Sequence, residues 1–176
     1  MFKRGVSPVV ATVLLLVITV VIASIIFAFV VPFVNKSLGN SKACLNVLDG
    51  LEFPESRFNC WNETLVFVPA NPTYETGFSV KIKKDGVEGF RVALIDENEQ
   101  SEVKDIKPGI GNDLNFKMVG QAYGTPLIVP SVGGQKTYVT NKKYAKAEVS
   151  AITKTGEVCP VADIVEFSHC AGVVIF

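Results

Sequence analysis

Three groups of residues in this 176-residue chain have types and spacings that could do chemistry. The first is the junction Lys3-Arg4-Gly5-Val6-Ser7-Pro8, where two cations, a glycine and an abrupt apolar start stand side by side. A glycine there leaves the backbone open to a protease working at a membrane face. The second group is four cysteines, Cys44, Cys60, Cys159 and Cys170, an even number that allows three disulfide connectivities. The third is a pair of N-glycosylation sequons, Asn35-Lys36-Ser37 and Asn62-Glu63-Thr64, whereas Asn71-Pro72-Thr73 is disqualified by its proline.

Residues for catalysis are sparse. The single histidine, His169, stands beside Cys170, and a lone histidine is more often structural than catalytic. There is no Gly-x-Ser-x-Gly, phosphate loop or zinc-binding helix motif. A metal site built from the cysteines and His169 would need ligand spacings that are not present, since no Cys-x-x-Cys occurs. Asp96, Glu97 and Glu99 cluster in a stretch that reads as a solvated turn rather than an acid/base pair. The expectation is a protein that is not an enzyme and holds no cofactor or metal. With 17 basic and 17 acidic side chains, nothing favours a nucleic-acid partner.

The elements that must carry these residues fall into two parts. No charge occurs between Arg4 and Lys36. A bilayer core needs about 20 residues of helix, so the run from Val6 to Val34 is long enough to span. The β-branched stretch Val17-Ile18-Thr19-Val20-Val21-Ile22 would suit a strand in water, but lipid requires a backbone that satisfies its own hydrogen bonds, hence a helix. Lys3 and Arg4 precede it and hold that end in the cytoplasm, giving an N-in, C-out topology. A secretory signal peptide has an apolar core of about 7–15 residues and a small-residue cleavage site, and this segment fits neither. An uncleaved single-pass anchor is the other plain reading. Pro8 suits a first helical turn, and Pro32 a kink or break near the end. Residues 36–43, rich in Ser, Gly, Asn and Lys, read as a hinge.

Residues 3 to about 30, beginning Lys-Arg-Gly-Val-Ser-Pro-Val-Val-Ala-Thr, resemble the N-terminus of archaeal type IV pilins. The resemblance covers about a fifth of the chain, and its most specific mark is the Ser-Pro after the glycine. It implies a class III signal peptide of residues 1–5, cut by a prepilin peptidase between Gly5 and Val6, with Lys3, Arg4, Gly5, Val6, Ser7 and Pro8 forming the processing site. Bacterial type IV pilins usually carry glutamate at the fifth mature position, which here is Val10, so the bacterial pattern is absent. Archaellins share the processing site but usually continue with a glycine-containing helix, and rank second. The resemblance further implies a helix over residues 6–35 that is membrane-spanning before assembly and the filament core after it. Leu14, Leu15, Ile18, Ile22, Ile25, Ile26 and Phe29 would fill that core, with Ala11, Ala23, Ser24 and Ala28 allowing close approach. Its implied partners are further copies in a helical homopolymer, the peptidase, and the assembly platform with its ATPase. Its implied location is the cytoplasmic membrane, then an adhesion pilus on the cell surface.

From Cys44 onward the period is two rather than 3.6, so residues 44–176 read as an extracellular all-β domain, with the whole chain α+β and pilin-like. The clearest pattern is Phe78, Val80 and Ile82 alternating with Ser79, Lys81 and Lys83, followed by Asp85-Gly86 and a return through Phe90, Val92 and Leu94. It predicts a hairpin. An acidic turn is expected at Asp96–Gln100. Further strands are expected at 64–68, 102–106, 114–119, 126–129, 136–140, 145–152 and 164–167, and the apolar end, 171–176, as a last strand. Eight or nine short strands predict a sandwich, plausibly immunoglobulin-like. The favoured disulfides join Cys44 with Cys60 and Cys159 with Cys170, each bracketing a short segment, and pairing across the domain is the alternative. Asn62 is the better glycosylation candidate, in an expected loop, because Asn35 sits near the helix end. Trp61, Tyr74, Tyr123, Tyr138 and Tyr144 are either core aromatics or an exposed adhesive patch.

Overall fold

The structure, a computed structural model, describes residues 8–64, 73–109 and 113–171, with backbone alone at 35–41 and 64. The chain divides into two compact units, Met1–Lys42 and Ala43–Phe176.

The first unit is helical. Helix α1 spans Pro8–Ile25, a π-helical turn follows at Ile26–Val30, and α2 spans Val31–Asn46. Pro8 opens α1, where its missing N–H leaves no bond unmade. The π turn ends two residues before Pro32, whose ring excludes the ordinary bond to the carbonyl four residues back, at Ala28 within that turn. The expected disturbance at Pro32 is thus taken up by one widened turn, and the helix continues. It also continues through the expected hinge: the backbone over 36–43 is helical, as part of α2. The reason lies at its far end, where Cys44 and Val47 are buried in the second unit. Core burial of the flanking turn outweighs the roughly 1 kcal/mol that an internal glycine costs a helix.

The second unit is a sandwich of two sheets around one apolar core. Its strands, among the described residues, are β1 (Leu51–Glu52), β2 (Cys60–Thr64), β3 (Thr73–Ile82), β4 (Val87–Ile95), β5 (Ser101–Ile106), β6 (Phe116–Met118), β7 (Gln135–Thr140), β8 (Lys146–Thr153), β9 (Val158–Glu166) and β10 (Ser168–His169). One sheet runs β10-β2-β3-β7-β6, with β1 also on β3, and the other runs β5-β4-β8-β9. All pairs are antiparallel except β10 with β2.

The expected hairpin at Asp85-Gly86 is not one. Strand β3 pairs with β1, β2 and β7, and β4 pairs with β5 and β8, so the chain arches from one sheet to the other. In a hairpin the two apolar rows would share one sheet face. Here Phe78, Val80 and Ile82 meet Phe90, Val92 and Leu94 across the core, all fully or almost fully buried. Gly86, at φ +95°, makes the turn. The acidic turn is where it was expected, closing β4 onto β5 through Ile95 paired with Ser101. Residues 126–129 form no strand. The expected strand at 64–68 shows its first residue at the end of β2 and otherwise lies outside the described residues, as do the last five positions.

Candidate assembly segment and the exposed end of the β domain

The helical stretch Pro8–Val34 is 27 residues long, has a mean hydropathy of 3.2 and is long and apolar enough to cross a membrane. At about 1.5 Å per residue it reaches about 40 Å. None of its side chains is buried within the chain. Leu14, Leu15, Ile18, Ile22, Ile25, Ile26 and Phe29 are all exposed, Phe29 at 71%, so the apolar surface runs around every face rather than along a stripe. The polar atoms along the segment are handled internally. The Thr12 hydroxyl donates to the Val9 carbonyl at 2.9 Å, that of Thr19 to Leu16 at 2.8 Å, and that of Ser24 to Val20 at 2.8 Å. A helix so arranged needs no water and no fixed neighbour, and suits lipid or a bundle of apolar helices equally. Of the processing-site residues, Pro8 opens α1, while Lys3, Arg4, Gly5, Val6 and Ser7 lie outside the described residues.

The cysteines pair differently from the favoured reading. Cys44 joins Cys159 and Cys60 joins Cys170, with Cα atoms 5.3 and 5.0 Å apart across sequence separations of 115 and 110. Proximity in sequence misleads here because the strands fold back. Cys44, in the last turn of α2, meets β9, while β10 lies parallel to β2, with Cys170 N–H donating to the Trp61 carbonyl at 3.0 Å. Loops of about 100 residues gain about 4.7 kcal/mol from closure on chain-entropy grounds, against about 3 for short ones.

Asn62 sits on β2 opposite Glu75, on a strand rather than in the expected loop. Asn35 lies in α2, and its side chain is outside the described residues. The aromatics divide: Tyr138 and Tyr144 are buried, whereas Trp61, Tyr74 and Tyr123 are half-buried. Trp61 meets His169 edge-on at 4.8 Å and Tyr74 at 6.1 Å, and the Lys143 ammonium lies 4.0 Å from its ring centre. No reading of the sequence brought Lys143, His169 and Trp61 together, since pairing of β10 with β2 creates the group and no local pattern announces it.

The same end of the domain carries the β4–β5 turn and the β7–β8 connection. Asp96 caps its own turn, its Oδ1 accepting from the N–H groups of Asn98 and Gln100 at 2.8 and 2.9 Å. Glu102 accepts from the Lys142 ammonium and the Tyr144 hydroxyl, both at 2.6 Å, on Oε2. The lysine bond first, and the phenol second, hold its carboxyl below the usual range. Burial, then the bond to that carboxylate, pushes the Tyr144 hydroxyl up. Asp96, Glu97 and Glu99 are thus turn and surface groups, and Glu97 pairs with Lys143 at 2.7 Å.

Residues 4–38 match the family described as archaeal type IV pilin, N-terminal. No curated protein matches the chain.

Proposed function

We propose, from the match of residues 4–38 to the archaeal type IV pilin N-terminal family and from the apolar helix that carries it, that the chain is a structural subunit of an archaeal adhesion pilus. It is made as a membrane-anchored precursor, cut between Gly5 and Val6 by a prepilin peptidase, and polymerised by the assembly platform and its ATPase. The observation that carries this reading is the all-round apolar helix with its three hydroxyls satisfied by its own carbonyls. Such a helix leaves lipid for a bundle of identical helices without exposing an unmet polar group. With Lys3 and Arg4 on the cytoplasmic side, the β domain lies outside, where its disulfides persist and Asn62 is available for glycosylation. In this reading the filament presents the β domain for adhesion, and the chain catalyses nothing.

N-terminal sequencing of sheared extracellular material and of membranes tests the reading, in cells that express the chain with a prepilin peptidase. The expected result is Val-Ser-Pro-Val at the start of polymeric material. An intact Met-Phe-Lys-Arg start confined to membranes would make the chain an anchored ectodomain and end the filament assignment. Replacing Gly5 by a bulky residue is expected to abolish processing and filaments together, and filaments persisting from that variant would sink the assigned site.

A further inference from the structure

Between the β4–β5 turn and the β7–β8 connection lies a hollow of about 300 Å³ lined by Asp96, Gln100, Ser101, Glu102, Lys142 and Tyr144, with Lys143 at its side. Its walls are fixed. Asp96 locks the turn by two backbone bonds, and the Ala145 N–H donates to the Ile95 carbonyl at 2.8 Å. Tyr144, 3% exposed, ties one wall to the other through Glu102. Other lining groups are left unengaged among the described residues: the Gln100 amide and the Ser101 hydroxyl hold no side-chain hydrogen bond, and Glu102 bonds through one of its two oxygens.

The chemistry of the lining narrows the ligand. Each charged group of the lining is already engaged, Lys142 with Glu102, Lys143 with Glu97 and Asp96 with two backbone N–H groups, so the hollow offers no unpaired charge to draw an ion. An amide, a hydroxyl, a carboxylate oxygen and an ammonium offer both donors and acceptors, which is what a polyhydroxylated molecule needs, since each of its hydroxyls both donates and accepts. Lys143 connects the hollow to an aromatic wall, its ammonium 4.0 Å from the Trp61 ring centre and 5.8 Å from that of Tyr74. From this juxtaposition we infer that the hollow binds a neutral carbohydrate unit. The inference deepens the adhesive reading above and rests on it for its biological sense, while the binding itself stands on the hollow alone.

The test is saturation-transfer NMR on the detergent-solubilised full-length chain, with the methyl glycosides of glucose, galactose, mannose and N-acetylglucosamine as probes. The Gln100→Ala/Ser101→Ala double variant removes groups that hold no side-chain bond within the domain, so it leaves the fold intact. The expected result is transfer to at least one glycoside, weakened about tenfold or more in the double variant, the scale of one or two lost hydrogen bonds. No transfer to any of the four, or equal transfer in the variant, would overturn the inference. Filament yield from the same cells keeps the two ideas apart. Filaments that form but bind no glycoside remove the site and leave the subunit reading, whereas unassembled chain that binds does the reverse.

Discussion

The long apolar helix and the β domain satisfy their polar groups in opposite ways. In the helix, Thr12, Thr19 and Ser24 bond to carbonyls three or four residues back. In the domain the partners are far away in sequence. Thr76 donates to the Lys142 carbonyl at 2.7 Å and accepts from the Tyr144 N–H at 3.1 Å, and the Ser79 N–H donates to the Asn59 side chain at 2.8 Å. Local satisfaction lets the helix exchange one apolar surrounding for another with its own structure unchanged. Distant satisfaction ties the domain's elements to one arrangement. The proposed filament role would call on both, since a subunit passing from a membrane into a polymer must change its surroundings and keep its outer surface.

The contrast can be broken or sharpened by substitution. Phe78→Ala, which empties a fully buried site stacked beside Tyr138, is expected to cost the domain about 3–5 kcal/mol by chemical denaturation, leaving helix content in detergent unchanged. Leu15→Asp attacks the other region: roughly 2.5–3.5 kcal/mol is lost at a bilayer centre, so membrane insertion falls while the isolated melting of the domain holds. Thr76→Val leaves the buried Tyr144 N–H and the partly buried Lys142 carbonyl without that hydroxyl and is expected to cost about 1–3 kcal/mol, read as a lower midpoint in urea.

The acid limb of stability gives a smaller effect. Lys142 and Tyr144 depress the Glu102 carboxyl, and Lys81 and Lys83 that of Glu52, from the ordinary 4.5. A depressed folded value means the unfolded chain binds more protons, so this contribution is present above the unfolded value and is lost as pH falls through the folded one. Melting temperatures should hold from pH 6 to about 4.5 and decline as pH is lowered further, and Glu102→Gln should flatten that decline. The smallest effect is Ser24→Ala, which removes a hydroxyl bonded only within its own helix. A change of no more than a few tenths of a kcal/mol in the thermal stability of the helix is expected, and a loss as large as that of Thr76→Val would erase the contrast.

What could be read from the sequence follows the same division. The span was legible because a charge-free run of its length needs no tertiary information to be recognised. The period-two strands at 102–106, 136–140 and 145–152 and the Asp96–Gln100 turn were legible for similar local reasons. What failed was non-local. Alternation in β3 and β4 is the same whether the strands pair or face each other, so the arch at Gly86 reads as a hairpin. Spacing cannot fix disulfide partners, and a Ser/Gly/Asn-rich stretch reads as a hinge until the burial of Cys44 and Val47 beyond it is known. In the candidate carbohydrate site, Asp96 stood out only as one charge of an acidic turn and Glu102 only as the start of a strand, because Lys142 reaches Glu102 from 40 residues away.

The two disulfides interleave, Cys44 to Cys159 and Cys60 to Cys170. Any one backbone cut between Cys60 and Cys159 therefore leaves two pieces held by both bridges, and a cut elsewhere between Cys44 and Cys170 leaves them held by one. The domain can be nicked once in any connection between Cys44 and Cys170 and still remain a single covalent object.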